Sequence, residues 1–477
     1  MRRKGPRVAR SGSLLAIVAC LPLAQCELAF PTVAIEAPPC TDTTSDPENC
    51  GMCGVVCSSG VECYRSMCGG RAVTQISAGN HACVVVAAGT VFCWGDNQFG
   101  ETGSAPATQT CTSGGVSVAC LSTPTEVAGL SNVVEVRAGY DSACARTTDG
   151  AIWCWGRNDQ GQLGHAKSLQ TCGSDPCDVV PQQVTGIENA DSLDVGNGFA
   201  CAVASGKVFC WGDDTYGTLG DGAMGVISAT PVAVKLPATF QASSVSASLS
   251  THACALGTDG SVMCWGTNTS GELGHDPATD PSCMPTGTPC ASTPTLVTEP
   301  TEASVHSGDG VTCSLTPLGA VHCWGSNGLG QFGNGSSDAT VHAAPIAGPA
   351  GLAFAALDGR YDFELALDGM GNASAWGSSS RGALGTGAVL TGVVCQGSTP
   401  SPCATAPSRI TSLSQVTQAS AGVELGLALE ANGTLWAWGA NVDGRLGHAP
   451  GTVGDLMTCG AGTEICNPYP KTIAGFP

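Results

Sequence analysis

The segment CWGDNQFGETG at residues 93–103 is repeated, with variation, along most of the chain. Each copy opens with Trp-Gly and keeps the spacing W-G-x4-G-x2-G, and Asn or Asp usually stands three residues after the tryptophan, with Ser379 as the exception. These residue types suit a chain that leaves a strand through positive φ or an Asx turn. The copies are 52 to 62 residues apart, in the range of propeller blades with loop insertions. Their tryptophans are Trp94, Trp155, Trp211, Trp265, Trp324, Trp376 and Trp438.

One copy of the repeat reads as four short strands. In the second copy they are residues 124–127, 133–138, 143–147 and 151–155. The Asp-Gly pair at residues 149–150 is typical of a tight hairpin between the last two strands. Four strands repeated seven times predict an all-β fold, a seven-bladed β-propeller of four-stranded blades.

The propeller is expected to occupy residues 71–477 and to close through its C-terminus. Residues 71–76 match the second strand of other copies, so the first copy lacks a first strand. Residues 470–475 resemble that missing strand. We therefore expect the C-terminal strand to complete the first blade and close the ring.

The repeat resembles a known family. The pattern Ala78-Gly79-x-His81, followed by the Trp-Gly segment, is similar to the regulator-of-chromosome-condensation repeat. The resemblance implies a propeller, and it implies no single activity, because that fold serves nucleotide-exchange factors, secreted inhibitors and kinase or ubiquitin-ligase modules. The family's exported bacterial branch includes an inhibitor of β-lactamases. We carry over no nucleotide-exchange residues.

Composition limits the compartment and the partners. Of the 477 residues, 28 are cysteine, which indicates an oxidising compartment. The 18 Lys and Arg against 38 Asp and Glu give a net charge of −20, which argues against a nucleic-acid partner.

The N-terminus has the layout of an export signal. A basic head and an apolar run fill residues 1–26, and a linker follows at 27–39. Cys26, or alternatively Cys20, follows a lipobox-like tetrapeptide and is a candidate for lipid attachment. Ordinary cleavage and release is the alternative. We expect an extracellular or cell-surface protein, with an outer-membrane lipoprotein as one form, and a monomer.

A small cysteine-rich module is predicted at residues 40–68. It resembles the modules of stigma-specific secreted proteins around residues 46–54. Three disulfides are favoured over a zinc site, because the segment contains no histidine and the compartment is oxidising, and the sequence leaves their connectivity open. The six cysteines are Cys40, Cys50, Cys53, Cys57, Cys63 and Cys68.

Cysteines within the repeats are present or absent in pairs from one copy to the next, which predicts disulfides. In the sixth and seventh copies, Leu365 with Ala375 and Leu427 with Ala437 replace a hairpin pair. The predicted hairpin bonds are Cys83–Cys93, Cys144–Cys154, Cys201–Cys210, Cys254–Cys264 and Cys313–Cys323. The predicted loop bonds are Cys111–Cys120, Cys172–Cys177, Cys283–Cys290, Cys395–Cys403 and Cys459–Cys466.

Strand parity assigns the loops to two faces, and we predict binding on the face that carries the disulfide-bonded insertions and the Ala-Gly loops. Rigid loops with aromatic side chains suit a protein or glycan partner, because little ordering cost remains. Packing beneath the loops is the alternative role for these aromatics. The predicted binding residues are Tyr140, Asp141, Phe199, Tyr216, His252, Tyr361, Asp362 and Phe363.

Catalytic and metal-binding signals are weak. The sequence contains no serine-nucleophile motif, H-E-x-x-H motif or P-loop, so we expect no enzyme activity and no cofactor. His165, His275 and His448 follow the same Leu-Gly, and a repeated turn residue explains them better than a metal site. Acidic stretches at 213–214 and 276–280 leave calcium binding open, although neither matches an EF-hand loop.

The predicted function is therefore that of an exported interaction scaffold. An inhibitor of an extracellular enzyme is an alternative that differs only in its partner. A propeller hydrolase or lyase, with carboxylates gathered at the mouth of the central channel, is the enzyme alternative.

Overall fold

The computed structural model describes residues 44–47, 50, 56–57, 62–106, 109–113, 116–166, 168, 170–283, 287–298, 301–387, 394–395, 401–456, 459 and 465–476. The chain divides into two compact units, Met1–Thr41 and Asp42–Pro477, and all described residues belong to the second. The predicted export signal, Cys20, Cys26 and the linker 27–39 lie outside the described residues. In the part that the structure describes, no helix is long and apolar enough to cross a membrane.

Seven antiparallel sheets form the seven blades, which confirms the predicted propeller of four-stranded blades. The inner strands are Val73–Ala78, Val133–Ala138, Ala190–Val195, Ala242–Ala247, Ser304–Ser307, Ala356–Asp358 and Val416–Ala421. The second strands are His81–Val86, Ser142–Thr147, Phe199–Ala204, His252–Gly257, Val311–Leu315, Phe363–Leu367 and Leu425–Glu430. The third strands are Val91–Asp96, Ile152–Arg157, Lys207–Gly212, Val262–Thr267, Val321–Asn327, Ala373–Ser378 and Leu435–Ala440.

Each blade ends with an outer strand that pairs with the third strand. The outer strands are Val116–Glu126, Asp175–Gln183, Ser228–Ala233, Thr288–Val297, Asp338–Ala347, Ser401–Arg409 and Cys466–Thr472. Short extra strands precede four of them, at Thr110–Ser113, Thr171–Cys172, Ser282–Cys283 and Val394–Cys395. Two 3-10 helices, Pro277–Thr279 and Ser380–Gly382, lie in loops.

The closure predicted for the ring is wrong. The C-terminal strand Cys466–Thr472 pairs with Leu435–Ala440 and is the outer strand of the seventh blade. The first blade is complete from its own residues, because its outer strand Val116–Glu126 contains most of the segment 124–127 that the sequence assigned to the second blade. The sequence of a short strand does not indicate whether the strand pairs with the blade before it or with the blade after it.

The Trp-Gly pair shapes every third strand. All seven tryptophans are buried to 0% exposure. In each blade the register between the third and outer strands shifts around this tryptophan, as in a β-bulge. The following glycine has positive φ, 109° at Gly212, and a Cβ there would lie 2.3 Å from the carbonyl oxygen of Gly198. Glycine is therefore required at this position.

Each seam between blades carries the same hydrogen bond. The indole nitrogen of each tryptophan donates to a backbone carbonyl in the loop of the preceding blade, at 2.8–3.0 Å. The pairs are Trp155 with Glu101, Trp211 with Gln162, Trp265 with Thr218, Trp324 with Glu272, Trp376 with Gln331, Trp438 with Ala383, and Trp94 with Arg445. The last pair joins the seventh blade to the first.

All ten disulfides predicted within the repeats are formed. The hairpin bonds join directly opposed residues of the second and third strands, with Cα atoms 4.1–4.2 Å apart. Their Cα separation is that of a non-hydrogen-bonded pair. The loop bonds span 5.7–6.1 Å between Cα atoms. Leu365 and Leu427 take the hairpin position opposite Ala375 and Ala437.

The cysteine-rich segment before the propeller has two described disulfides, Cys50–Cys63 and Cys57–Cys68. Cys40 and Cys53 lie outside the described residues. The segment contacts the first blade, because Tyr64 and Arg65 both bond to Glu126. The Tyr64 ring lies 6.2 Å from that of Phe92, and Phe92 also packs on Phe476 at 5.6 Å.

Candidate functional site

The propeller has two unlike faces. The loops between inner and second strands, and those between third and outer strands, emerge on one face, which we call the stapled face. The five loop disulfides lie there, in blades 1, 2, 4, 6 and 7. The opposite face carries the short turns between second and third strands, such as the one at Asp149 and Gly150.

The binding role predicted for three residues is wrong, because their side chains lie in the core. Phe199, His252 and Phe363 are at most 1% exposed. Each opens a second strand and pairs with the glycine of Trp-Gly, and Val311 and Leu425 hold the same register in other blades. The position therefore belongs to the packing between blades. Burial lowers the pKa of His252 to about 3, so this imidazole is neutral.

Tyr216, Tyr361 and Asp362 lie together in one cleft of the stapled face. The cleft has a volume of about 650 Å³ and is bordered by loops of blades 3 to 6. Its walls are mostly polar, and seven hydroxyl side chains face it besides the two tyrosines. These are Ser250, Thr251, Thr267, Thr269, Ser270, Thr288 and Ser326. We call it the blade 3–6 cleft.

Three acids, Glu272, Asp309 and Asp362, line the blade 3–6 cleft. Glu272 is buried and accepts from the backbone amides of Thr269 and Ser270 at 3.1 and 2.6 Å. Burial, reinforced by the neighbouring Asp309 and Glu424, raises the pKa of Asp362 to about 7. Burial also raises the pKa of Asp309, which the Ser250 hydroxyl opposes by hydrogen bonding. Burial and the adjacent acids raise the pKa of Tyr361 to about 12. Among the described residues that line the cleft, none is Lys, Arg or His.

Tyr140 and Asp141 lie on the stapled face but do not line the blade 3–6 cleft. Asp141 is bound by Arg157 at 3.0 Å, and the same guanidinium contacts Asp159 and Asp175 at 3.0 and 2.8 Å. Burial raises the pKa of Asp141, while its bond to Arg157 acts in the opposite direction. This half of the face is an ion-paired network.

A second group of acids gathers around Arg445. The guanidinium of Arg445 bonds to Asp443, with Nε 2.8 Å from one carboxylate oxygen, and to Asn80 at 3.1 Å. Asn80 donates to Asp96 at 2.9 Å. Burial and Asp443 raise the pKa of Asp96 to about 7, and burial and Asp96 raise that of Glu101. Convergent acids therefore exist on this face, and the buried Arg445 binds Asp443 directly and Asp96 through Asn80.

The stapled-face end of the central channel is crossed by Arg360. This side chain leaves blade 6 and reaches blades 2, 3 and 4, where it bonds to Asp194 and to the carbonyls of Ala138 and Val195 at 3.0 and 2.9 Å. Arg360 is 5% exposed. The channel behind it has a volume of about 370 Å³.

The three histidines that follow Leu-Gly are structural. His275 and His448 bond to Asp280 and Asp455 at 2.7 and 2.8 Å, and His165 lies 3.4 Å from Asp178. Two of these aspartates also accept from the Asn of the repeat, Asp280 from Asn268 at 2.6 Å and Asp455 from Asn441 at 2.7 Å. His275 and His448 therefore anchor the insertions of blades 4 and 7 through Asp280 and Asp455.

Metal ligands are sparse within the described ranges. The group found there is Cys50, Cys57 and Cys68, and each of these belongs to a disulfide. Of the stretches considered for calcium, Asp276 caps a 3-10 helix and Asp280 bonds to His275.

Sequence reasoning missed Asp309 and Arg360. The signal for Arg360 was available, because it stands where five other copies have the glycine of the Ala-Gly loop, as at Gly79 and Gly139. Asp309 had no such signal, because its significance depends on its position beside Asp362 across two blades.

Comparison with known proteins agrees with the fold. Family models of the regulator of chromosome condensation (RCC1) repeat match residues 73–101, 133–162 and 242–272, and residues 88–146 and 149–203. These segments of the chain are therefore similar to RCC1 repeats. It is 26% identical to the ultraviolet-B receptor UVR8 of Arabidopsis thaliana over 385 residues, which cover 79% of each chain. It is 27% identical to the human E3 ubiquitin-protein ligase HERC2 over 280 residues, 56% of this chain and only 5% of HERC2.

Solved structures show the same architecture. Yeast RCC1 (Prp20), bound to Kap60 in its crystal structure, superposes with a TM-score of 0.65 at 19% identity, covering 80% of this chain and 83% of that one. Human WBSCR16 gives a TM-score of 0.62 at 18% identity, covering 81% and 95%. At these identities the likeness shows the fold alone.

Proposed function

We propose that this chain is an exported interaction scaffold that binds a macromolecular partner on its stapled face. The observation that carries the proposal is the blade 3–6 cleft, whose walls come from four blades. Two of these blades, the fourth and the sixth, have disulfide-bonded loops, at Cys283–Cys290 and Cys395–Cys403. A site on loops that are already ordered binds without a large entropic cost.

The described part of the cysteine-rich segment docks away from the stapled face, which is compatible with a partner on that face. Glu126 is the last residue of an outer strand and pairs with Phe92, the second residue of a third strand. Both therefore lie near the face opposite the stapled face, and Tyr64 docks against them.

Export itself is supported by the disulfides. Twelve are formed among the described residues, and cysteines of the repeats are paired throughout. Such density is typical of extracellular proteins. Mass spectrometry of the mature N-terminus tests the leader. A diacylglyceryl cysteine would support the anchored form, and an unmodified residue beyond Cys26 would support the released form.

The enzyme-inhibitor alternative uses the same face and differs only in the partner. The hydrolase or lyase alternative would need an acid free to exchange protons with a substrate. Asp443 and Asp141 are bound by Arg445 and Arg157, which favours a structural role for them. The acids on which this alternative would depend are therefore Asp309 and Asp362 of the blade 3–6 cleft.

A binding experiment tests the proposed function. The chain is immobilised and exposed to surface proteins and glycans of its own host, followed by cross-linking. The cleft variant Tyr216→Ala with Tyr361→Ala is compared with Thr148→Ala and Asn432→Ala on the opposite face. We expect a partner that wild type and the control recover and the cleft variant loses. Equal recovery by all three proteins would move the site away from the cleft.

A further inference from the structure

We infer that the blade 3–6 cleft binds a basic side chain, lysine or arginine, of a protein partner whose apolar residues pack on the neighbouring third-blade loop. The inference rests on the proposed function and specifies its partner. Three observations carry it, namely an uneven distribution of counter-ions, the composition of the cleft walls, and an exposed apolar segment beside it.

Counter-ions are distributed unevenly over the stapled face. In blades 2 and 7, Arg157 binds Asp141 and Arg445 binds Asp443. Arg381 of blade 6 binds Glu424 of blade 7. Asp309 of blade 5 and Asp362 of blade 6 differ in this respect. In the described part of the chain, neither of those two carboxylates forms an ion pair, and the charged groups that raise the pKa of Asp362 are the acids Asp309 and Glu424. A cation from outside the chain would supply the missing counter-ion.

The walls of the cleft suit a cationic group. Tyr216 and Tyr361 provide aromatic surface, and a guanidinium or ammonium group is attracted to the face of such rings. Hydroxyl and amide groups, including Gln331, surround the two acids and can accept the remaining donors of an arginine. Because no basic residue lines the described walls, an anionic ligand would find no cation there to pair with.

An apolar segment adjoins the cleft. In the third-blade loop, Met224, Val226 and Ile227 are 44%, 62% and 48% exposed. The Met224 sulfur lies 3.3 Å from that of Cys283, in the hairpin whose Thr288 lines the cleft. Tyr216, on the same loop, also lines it.

An apolar segment beside a polar, charged pocket is the pattern of a protein interface, in which an anchor residue fills the pocket. A neutral glycan could accept neither the charge of the two carboxylates nor the three apolar side chains exposed within residues 224–227. The surface therefore favours a protein with a basic anchor over a carbohydrate.

The test uses the full-length protein and a phage-displayed library of random cyclic heptapeptides. Peptides are selected on wild type at physiological salt and counter-selected on Asp309→Asn with Asp362→Asn. The matched control is Asp149→Asn with Asp259→Asn, which removes the same charge from turns of the opposite face, where the seventh blade naturally has Asn432. Thermal unfolding verifies that each variant is folded.

We expect selected peptides to carry Arg or Lys next to an apolar residue. One such peptide should bind the variant Asp309→Asn with Asp362→Asn at least about tenfold more weakly than wild type, a difference of about 1.4 kcal/mol. Replacing the arginine of the peptide by citrulline should weaken its binding to wild type by a similar factor. Val226→Ser with Ile227→Ser should weaken the same peptide, and the control variant should not.

Selection of peptides without basic residues would overturn the inference. An equal loss of affinity on the cleft and control variants would also overturn it, because it would mean non-specific attraction to an acidic protein. Binding of arrayed glycans that the cleft variant abolishes would overturn it in favour of a carbohydrate ligand. If a partner depends on Tyr216 and Tyr361 but not on Asp309 and Asp362, the proposed function stands and this inference alone fails.

Discussion

The indole nitrogen of Trp94 donates a hydrogen bond to the backbone carbonyl of Arg445 at 2.9 Å, across 351 residues of chain. It is the same contact that joins every other pair of neighbouring blades. The seventh blade therefore meets the first as it would meet any successor, with Phe476 packed 6.4 Å from Trp94 as an additional contact. No strand exchange between the chain termini is needed to close the ring.

Replacing Trp94 with Phe tests this seam. The substitution leaves the Arg445 carbonyl without its donor in the core and removes part of a large buried ring. We expect a loss of at least about 2 kcal/mol in the free energy of unfolding, measured by urea denaturation. Trp265→Phe, which removes the bond to Thr218, is the matched variant at an interior seam and should lose a similar amount. A silent Trp94→Phe beside a destabilising Trp265→Phe would contradict closure by this contact.

The fold could be predicted because its signals repeat. Trp94 and its six counterparts mark the blades, and the paired loss of cysteines at Leu365 with Ala375 reports a direct cross-strand contact within a single sequence. Closure could not be predicted in the same way. The sequence of the strand Cys466–Thr472 does not indicate whether it pairs with the seventh blade or with the first. Its pairing with Leu435–Ala440, across the register shift at Trp438, is seen only in the three-dimensional structure.

The site was predicted in part. The stapled face and Tyr216, Tyr361 and Asp362 followed from strand parity, whereas Phe199 and Phe363 were assigned to it by residue type alone. Their counterparts in other copies, Val311 and Leu425, are ordinary core residues. Comparison between the copies would therefore have indicated that this position is buried. Asp309 acquires its role only by lying against another blade, which no local pattern shows.

Arg360 should act as a clamp across the channel. Arg360→Met leaves Asp194 buried without its cation, so we expect a loss of about 3–5 kcal/mol in unfolding free energy. Asp194→Ser restores the residue that other inner strands have, as at Ser77 and Ser246, and Arg360→Gly restores the glycine of Gly139. The double variant Asp194→Ser with Arg360→Gly should be less destabilised than the sum of its single variants. Strict additivity in chemical denaturation would mean that the two side chains do not act together.

A hairpin disulfide should be replaceable by the leucine and alanine pair that occupies the same position in blades 6 and 7. Cys254→Leu with Cys264→Ala recreates the pair Leu365 and Ala375 at the same register. Loss of a bond that closes a short loop costs about 2–3 kcal/mol, and the leucine fills volume that Cys254→Ala with Cys264→Ala would leave empty. Guanidinium midpoints should therefore rank wild type first, the Leu/Ala variant second and the Ala/Ala variant last. Equal midpoints for the two variants would show that packing at this position contributes nothing.

Asp214 should make the protein less stable as the pH rises. It stands where five copies have asparagine, as at Asn268, and burial raises its pKa to about 7. One carboxylate oxygen accepts from the Leu219 amide at 3.0 Å, and the other is buried without a hydrogen-bond partner. Because the folded-state pKa lies above the unfolded value of 3.8, the folded state holds its proton more tightly. The stability that this group contributes is full below about pH 3.8 and is lost as the pH rises towards 7.

Asp214→Asn removes this titration and can donate as Asn268 does to the His275 carbonyl at 3.1 Å. We expect the variant to match wild type near pH 4 and to exceed it by more than about 1 kcal/mol at pH 8, since one unit of pKa corresponds to about 1.4 kcal/mol. Melting temperatures between pH 4 and 8 measure the difference. Asp191→Asn, an exposed site on the opposite face, provides the same change of charge and should give a nearly constant offset. A gain for Asp214→Asn that did not grow with pH would contradict a buried, proton-holding Asp214.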